Sequence, residues 1–151
     1  MGAIMEFATE KQIASFLSTC RIEGQKNFLM AFKKKTWLKS FIDFFIVGGS
    51  YYVQSSVKPK ILVFTPKGIY LMDISDITEN RSNQVLEMPW NQVKDFAYKP
   101  VLNTVRLNWN YQNETYIFSV DVGQLSQHVG QYQFNKEHYD YLAQQDFFQS
   151  K

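Results

Sequence analysis

The residue types that support nucleophilic or metal chemistry are sparse in this chain of 151 residues. The single cysteine, Cys20, follows Ile13, Phe16 and Leu17 at helical spacing, a setting for a buried structural thiol and not for an activated thiolate. The two histidines, His128 and His138, belong to no His-Glu-x-x-His pattern, and one cysteine cannot build a thiolate cluster. Both are expected at the surface or as caps; the less favoured alternative is a His/Asp/Glu site assembled from distant positions. Asp73, Asp76 and Glu79 lie in a polar stretch, without the spacing or glycine of a calcium loop. They are expected to solvate a loop. Gly48-Gly49-Ser50 lacks the lysine of a phosphate-binding loop, and there is no Gly-x-Ser-x-Gly elbow. Arg106, Trp109, Tyr111 and Tyr116 have the composition of a base-stacking platform. Trp109 and Tyr116, however, fall on the strand faces assigned below to the core. These residues give no expectation of catalysis, cofactor or metal, and nucleic acid is not an expected partner.

Charge and aromatic content carry more information. The net charge is only +2, but it is unevenly placed. Residues 24–72 hold eight lysines against one acid, Asp43, whereas residues 73–151 sum to −4. Within the basic part, Lys33, Lys34, Lys35 and Lys39 alternate with Trp37, Phe41, Phe44 and Phe45, and Tyr51 and Tyr52 follow. Cations beside large apolar rings are what an anionic surface or a protein partner would meet, so these ten residues form the candidate interaction surface. The absence of a signal-peptide pattern and of an apolar run near 20 residues points to a cytoplasmic protein, peripheral to a membrane at most.

The elements that would position this surface follow from periodicity. Thr9–Cys20 is expected as a helix, with Thr9 and Gln12 as a capping box and an apolar face of Ile13, Phe16, Leu17 and Cys20. Phe28–Phe32 is a short apolar strand, followed by solvent-facing lysines. Trp37–Val47 fits a helix better than a strand. Ile61–Thr65 and Ile69–Ile74 form a hairpin around Pro66-Lys67-Gly68. Ser75–Gln84 is expected as a loop. Val85–Met88 and Val93–Tyr98 are strands ended by Pro89 and by Lys99-Pro100. Thr104–Asn110 alternates, with Val105, Leu107 and Trp109 on one face, and Thr115–Val122 places Tyr116, Phe118 and Val120 together. Asn135 is expected as the N-cap of a final helix, Phe134 packing on Tyr139 as a staple, with a stripe of Tyr139, Leu142, Ala143 and Phe147.

Ile61 to Asp73, with Thr65 and Lys67 in its turn, resembles the hairpin of bacterial pleckstrin-homology-like domains. Pro66 and Gly68 replace the family's Asn and Arg. Gly24 to Phe32 resembles the family's opening strand, and Met88-Pro89-Trp90 to Phe96 its apolar-Pro-aromatic step. The resemblance spans residues 24–148. It implies an α+β fold: a curled antiparallel sheet or partly open barrel capped by a C-terminal helix. Residues 1–23 add an N-terminal helical extension to a domain of residues 24–151. Phosphoinositide binding is not implied, because the likeness is to bacterial forms and no Lys-x-Arg loop is present.

The expected function is therefore a non-catalytic interaction module that binds a protein partner or self-associates, with a dimer as the expected oligomer. Contact through an open strand edge or the aromatic segment would serve either case. The alternatives are a module that binds an anionic membrane surface through residues 33–52 and, last, an enzyme with a dispersed site.

Overall fold

Two strands are apolar on both faces, and this organises the molecule. β1 (Phe28–Lys34) buries Phe28, Leu29, Met30 and Ala31, and β2 (Pro59–Phe64) buries Ile61, Leu62, Val63 and Phe64. Successive side chains leave a strand on opposite sides, so burial at every position requires a layer on each face. Leu29, Ala31, Leu62 and Phe64 share one cluster with Leu107, Trp109, Phe118 and Val120 from the other end of the sheet. Phe28, Met30, Ile61 and Val63 face the opposite way, against Ile13, Phe16 and Leu17 of α1 (Glu10–Thr19). The described residues thus form two cores separated by β1 and β2. The structure, a computed structural model, describes residues 8–34, 59–123 and 134–148.

The remaining strands are β3 (Gly68–Asp73), β4 (Leu86–Pro89), β5 (Lys94–Val101), β6 (Thr104–Tyr111) and β7 (Glu114–Asp121). All pairings are antiparallel, in the order β4-β3-β2-β1-β7-β6-β5. The sheet is open, with β4 and β5 as its edges. A short 3-10 turn, Trp90–Gln92, links those two edges. The sheet curls: the Trp109 indole donates to Met88 Sδ at 3.3 Å and the Tyr111 hydroxyl to the Glu87 carbonyl at 3.4 Å, bringing β6 against β4. With α1 before the sheet and α3 (Phe134–Gln144) after it, the architecture is α+β.

Local sequence accounts for most of these elements. Thr9 and Gln12 form the expected capping box, with reciprocal bonds of 3.1 and 2.9 Å. In the β2–β3 turn, the Thr65 hydroxyl accepts from the amides of Lys67 and Gly68. Gly68 is required there, since a Cβ would lie 2.3 Å from the Met88 carbonyl oxygen on β4. The alternation in β6 and β7 places Val105, Leu107, Trp109, Tyr116, Phe118 and Val120 in the core as expected.

Six expectations are corrected. Ser75–Gln84 is not simply a loop: α2 (Ile74–Thr78) buries Ile74 and Ile77 in the outer core, and Ser82–Gln84 is a 3-10 turn. Lys99-Pro100 does not end β5, because an edge strand tolerates proline on its open side. Cys20 is only half-buried, at the C-cap of α1, where partial burial pushes its thiol up. Asn135 is not a cap and His138 is not at the surface; both lie on the buried face of α3. Phe134 packs on Phe28 and His138, whereas Tyr139 stacks with Phe148 in the other cluster.

Asn135 resolves a problem in the sheet. Among the described residues, β1 pairs with β7 at Phe32, Lys33 and Lys34. Before Phe32 the two strands diverge, and the β1 backbone needs other partners. The Asn135 amide supplies them. Its Oδ1 accepts from Met30 N–H at 2.8 Å, and its Nδ2 donates to the Met30 carbonyl at 2.9 Å and to the Asp121 carbonyl of β7 at 3.1 Å. One side chain imitates the missing strand and holds both sides of the gap. We expect Asn135→Leu to destabilise the fold by about 3 kcal/mol, since two buried backbone groups lose their partners. Urea unfolding checks this through a lower midpoint at unchanged slope.

Candidate functional site

Most of the sequence-predicted surface, namely Lys35, Trp37, Lys39, Phe41, Phe44, Phe45, Tyr51 and Tyr52, lies outside the described residues, as does the Trp37–Val47 element. Its base is described. Phe32 pairs with Pro59, so the connection of residues 35–58 leaves β1 and re-enters β2 at neighbouring points. Lys34 pairs with Ile117 and Lys33 with Phe118, extending β1 into the stretch expected to face solvent. Lys33 is half-buried. Its Nζ lies 4.0 Å from Glu114 and 5.0 Å from the Tyr116 ring centroid. Tyr116 in turn donates its hydroxyl to Glu114 at 2.9 Å.

Beside the β2 end of this base is a shallow depression of about 420 Å³ between β2, β3 and the segment that follows β3. Its polar groups are Lys60, Asp73, Asp76, Arg81 and Gln84. Asp76, expected to be solvated, is buried; it accepts from the Asp73 amide at 3.1 Å and pairs with Arg81 at 3.2 Å. Lys60 bonds Asp73. The charges neutralise one another within the wall, which gives the depression a structural explanation.

The open edge at β5 is poorly suited to adding another strand. Val101 and Thr104 flank a two-residue loop, so the ladder alternation turns the backbone groups of Tyr98 and Pro100 outward. Pro100 has no N–H to offer, and a bulge centred on Asp95 (φ 57°) disrupts the strand's start. The tip is different. Leu102, at φ 55°, is 97% exposed, and Val101 is 45% exposed. Lys99 and Arg106 stand opposite each other beneath this tip, on the outer face they share with Val101. Neither has an ion-pair partner among the described residues.

A third group was missed by the sequence reading. His138 is fully buried, with Nδ1 2.8 Å from the Phe28 carbonyl and Nε2 3.1 Å from Glu10 Oε2. Its ring packs edge-on against Phe28, with centroids 4.6 Å apart. Glu137 brings a second carboxylate, so that one donor atom from each of Glu10, Glu137 and His138 lies within 4.8 Å of the others. Glu10 is thus brought to His138 from a distant part of the chain. The available signal is positional: Asn135, His138 and Leu142 recur at helical spacing, but two of the three are polar.

No helix among the described residues is long and apolar enough to cross a membrane. Comparisons with protein-family models, with curated proteins and with solved structures find no match.

Glu114 and Glu87 each hold a tyrosine in its neutral form. Burial, then the hydrogen bond to and charge of Glu114, push the Tyr116 phenol up to about 12. Burial and Glu87, 2.8 Å away, do the same for Tyr70, also to about 12. The folded chain retains these protons where the unfolded chain, near pH 10, releases them, so this stabilisation is present below that pH and lost as pH rises toward 12. Phenolate absorbance during alkaline titration should place Tyr70 and Tyr116 among the last tyrosines to ionise, with Glu114→Gln bringing only the Tyr116 step down.

Proposed function

We propose that this chain is a non-catalytic protein-interaction module with a pleckstrin-homology-like fold, and that it self-associates by setting the β5–β6 tip on a second copy. The meander order of the strands and the helix following the last strand support the fold assignment. Trp109, Phe64, Phe118 and Phe148 fill the inside of the curl with packed side chains, which favours an outer surface as the working part. The observation that carries the reading is Leu102. It is exposed and apolar, and it occupies the first position of a two-residue hairpin loop with a positive φ, where glycine is the unstrained choice. A residue that is costly for local structure, with no gain within the subunit, is explained by a contact outside it. Lys99 and Arg106 beside it favour an acidic rim around the pocket that receives Leu102, and the excess of acids in residues 73–151 provides acidic surface on the same chain.

Sedimentation velocity should show a dimer that strengthens across the micromolar range. Leu102→Gly should make it monomeric while keeping the fold, or raising its stability by up to about 1 kcal/mol as the strain is released. A wild-type chain that stays monomeric throughout overturns self-association. Binding to phosphatidylserine-containing vesicles that falls with salt and is lost in Leu102→Gly would transfer the same tip to a membrane role.

A further inference from the structure

We propose that Glu10, Glu137 and His138 form a zinc-binding site that ties the first turn of α1 to α3. Geometry places the proton on His138. The Phe28 carbonyl can only accept, so the contact at 2.8 Å places a hydrogen on Nδ1. Nε2 is then the only ring atom left for a ligand, and its orientation is fixed by a backbone group and by the packed Phe28 and Phe134 rings. This is how a metal-binding imidazole is held: one nitrogen anchored to a carbonyl, the other presented.

What Nε2 meets is a carboxylate oxygen at 3.1 Å. A neutral Nε2 and a carboxylate are both acceptors, and their approach requires a positive centre between them. A proton supplies one, but Nε2–H serves a single acceptor and leaves the second carboxylate, Glu137, with no share in it. A divalent cation serves all three donors and balances the two negative charges. The nearby Lys136 does not take that part, being bonded to Asp140 at 2.9 Å. The spacing also fits. Two donors at about 2.0 Å from a tetrahedral zinc lie roughly 3.3 Å apart, close to the observed 3.1 Å between Nε2 and Oε2. Glu10 and Glu137 are exposed and free to close the remaining distance. One imidazole with two carboxylates suits zinc, whereas calcium and magnesium prefer all-oxygen sets. Three protein donors leave a fourth position for water.

The consequence is mechanical. Glu10 begins α1, which covers the outer core, and α3 closes the gap between β1 and β7. Zinc here couples both helices to β1 through the His138 ring anchored on the Phe28 carbonyl.

Zinc chloride alone is the probe, with the full chain and no reductant that chelates it. Calorimetry should show one zinc per chain, and the thermal midpoint should rise with zinc concentration as mass action requires. Glu10→Gln and Glu137→Gln alter exposed carboxylates, so both should fold and lose more than about 100-fold in affinity, beyond what loss of an outer-shell partner produces. Cys20→Ser and His128→Gln, which remove the other soft donors, should bind as the parent does. Magnesium and calcium at equal concentration should not compete. Absence of binding at millimolar zinc overturns the proposal, as does binding that survives both glutamine substitutions.

Discussion

The structure depends on the place where β1 and β7 stop bonding to each other. A curled sheet that joins its first and last strands can keep them paired only where curvature permits, and here that is Phe32–Lys34. Upstream, the backbone of Phe28 and Met30 is buried with one side turned away from β2. Unmet backbone groups in such a position cost more than most side-chain contacts return. α3 meets them with two polar side chains one turn apart. Asn135 takes both groups of Met30, and His138 takes the Phe28 carbonyl. No buried side-chain polar atom among the described residues is left without a partner. The last helix is thus part of the sheet's hydrogen bonding as well as its apolar cover.

The same helix connects the two cores. Leu142, with Phe148 just beyond the helix, packs in the inner cluster, and Phe134 packs in the outer one. β1 and β2 form the wall between the clusters, and α1 and α2 cover the outer side with Ile13, Phe16, Leu17, Ile74 and Ile77. Covering both faces explains why these two strands read as continuous apolar runs, whereas β6, solvated on one face, alternates cleanly. Removing α1 would expose Phe28, Met30, Ile61 and Val63, a face with no polar side chain among them to meet water.

Where one periodicity dominated, the sequence was a sufficient guide. α1, the β2–β3 hairpin, β6 and β7 could be placed from capping pairs, turn residues and alternation. α2 was missed because a single turn is too short to show a period, and its two buried isoleucines sit among polar residues. A proline reads as a strand terminator, yet on an open edge its missing N–H costs nothing and β5 runs past Pro100. Asn135 and His138 were misplaced for a more general reason. Apolar periodicity identifies a buried face by its hydrophobic members, so a face whose task is to bond a strand backbone looks like surface. The cluster around His138 is hidden for the same reason, since Glu10 reaches it from 128 residues away in the chain.

Two hairpin loops in one sheet show how the tip of β5–β6 departs from local preference. The β6–β7 loop, Gln112–Asn113, places both residues at positive φ (50° and 65°), and asparagine is among the side chains that tolerate this best. Its partner at the other end of β6 is also two residues long, but fills the strained position with Leu102. Among the described residues, those at positive φ apart from glycine are Arg21, Asn80, Asp95, Leu102, Gln112, Asn113 and Asp146, and only Leu102 is apolar. Its side chain also lies almost wholly in water. The pressures of backbone strain and of solvation both favour replacing it, and neither core receives it. An arrangement unfavourable on two independent counts within the monomer is accounted for if both are offset when the tip is covered. A single buried leucine recovers roughly 1.5–3 kcal/mol, more than the strain of one left-handed residue.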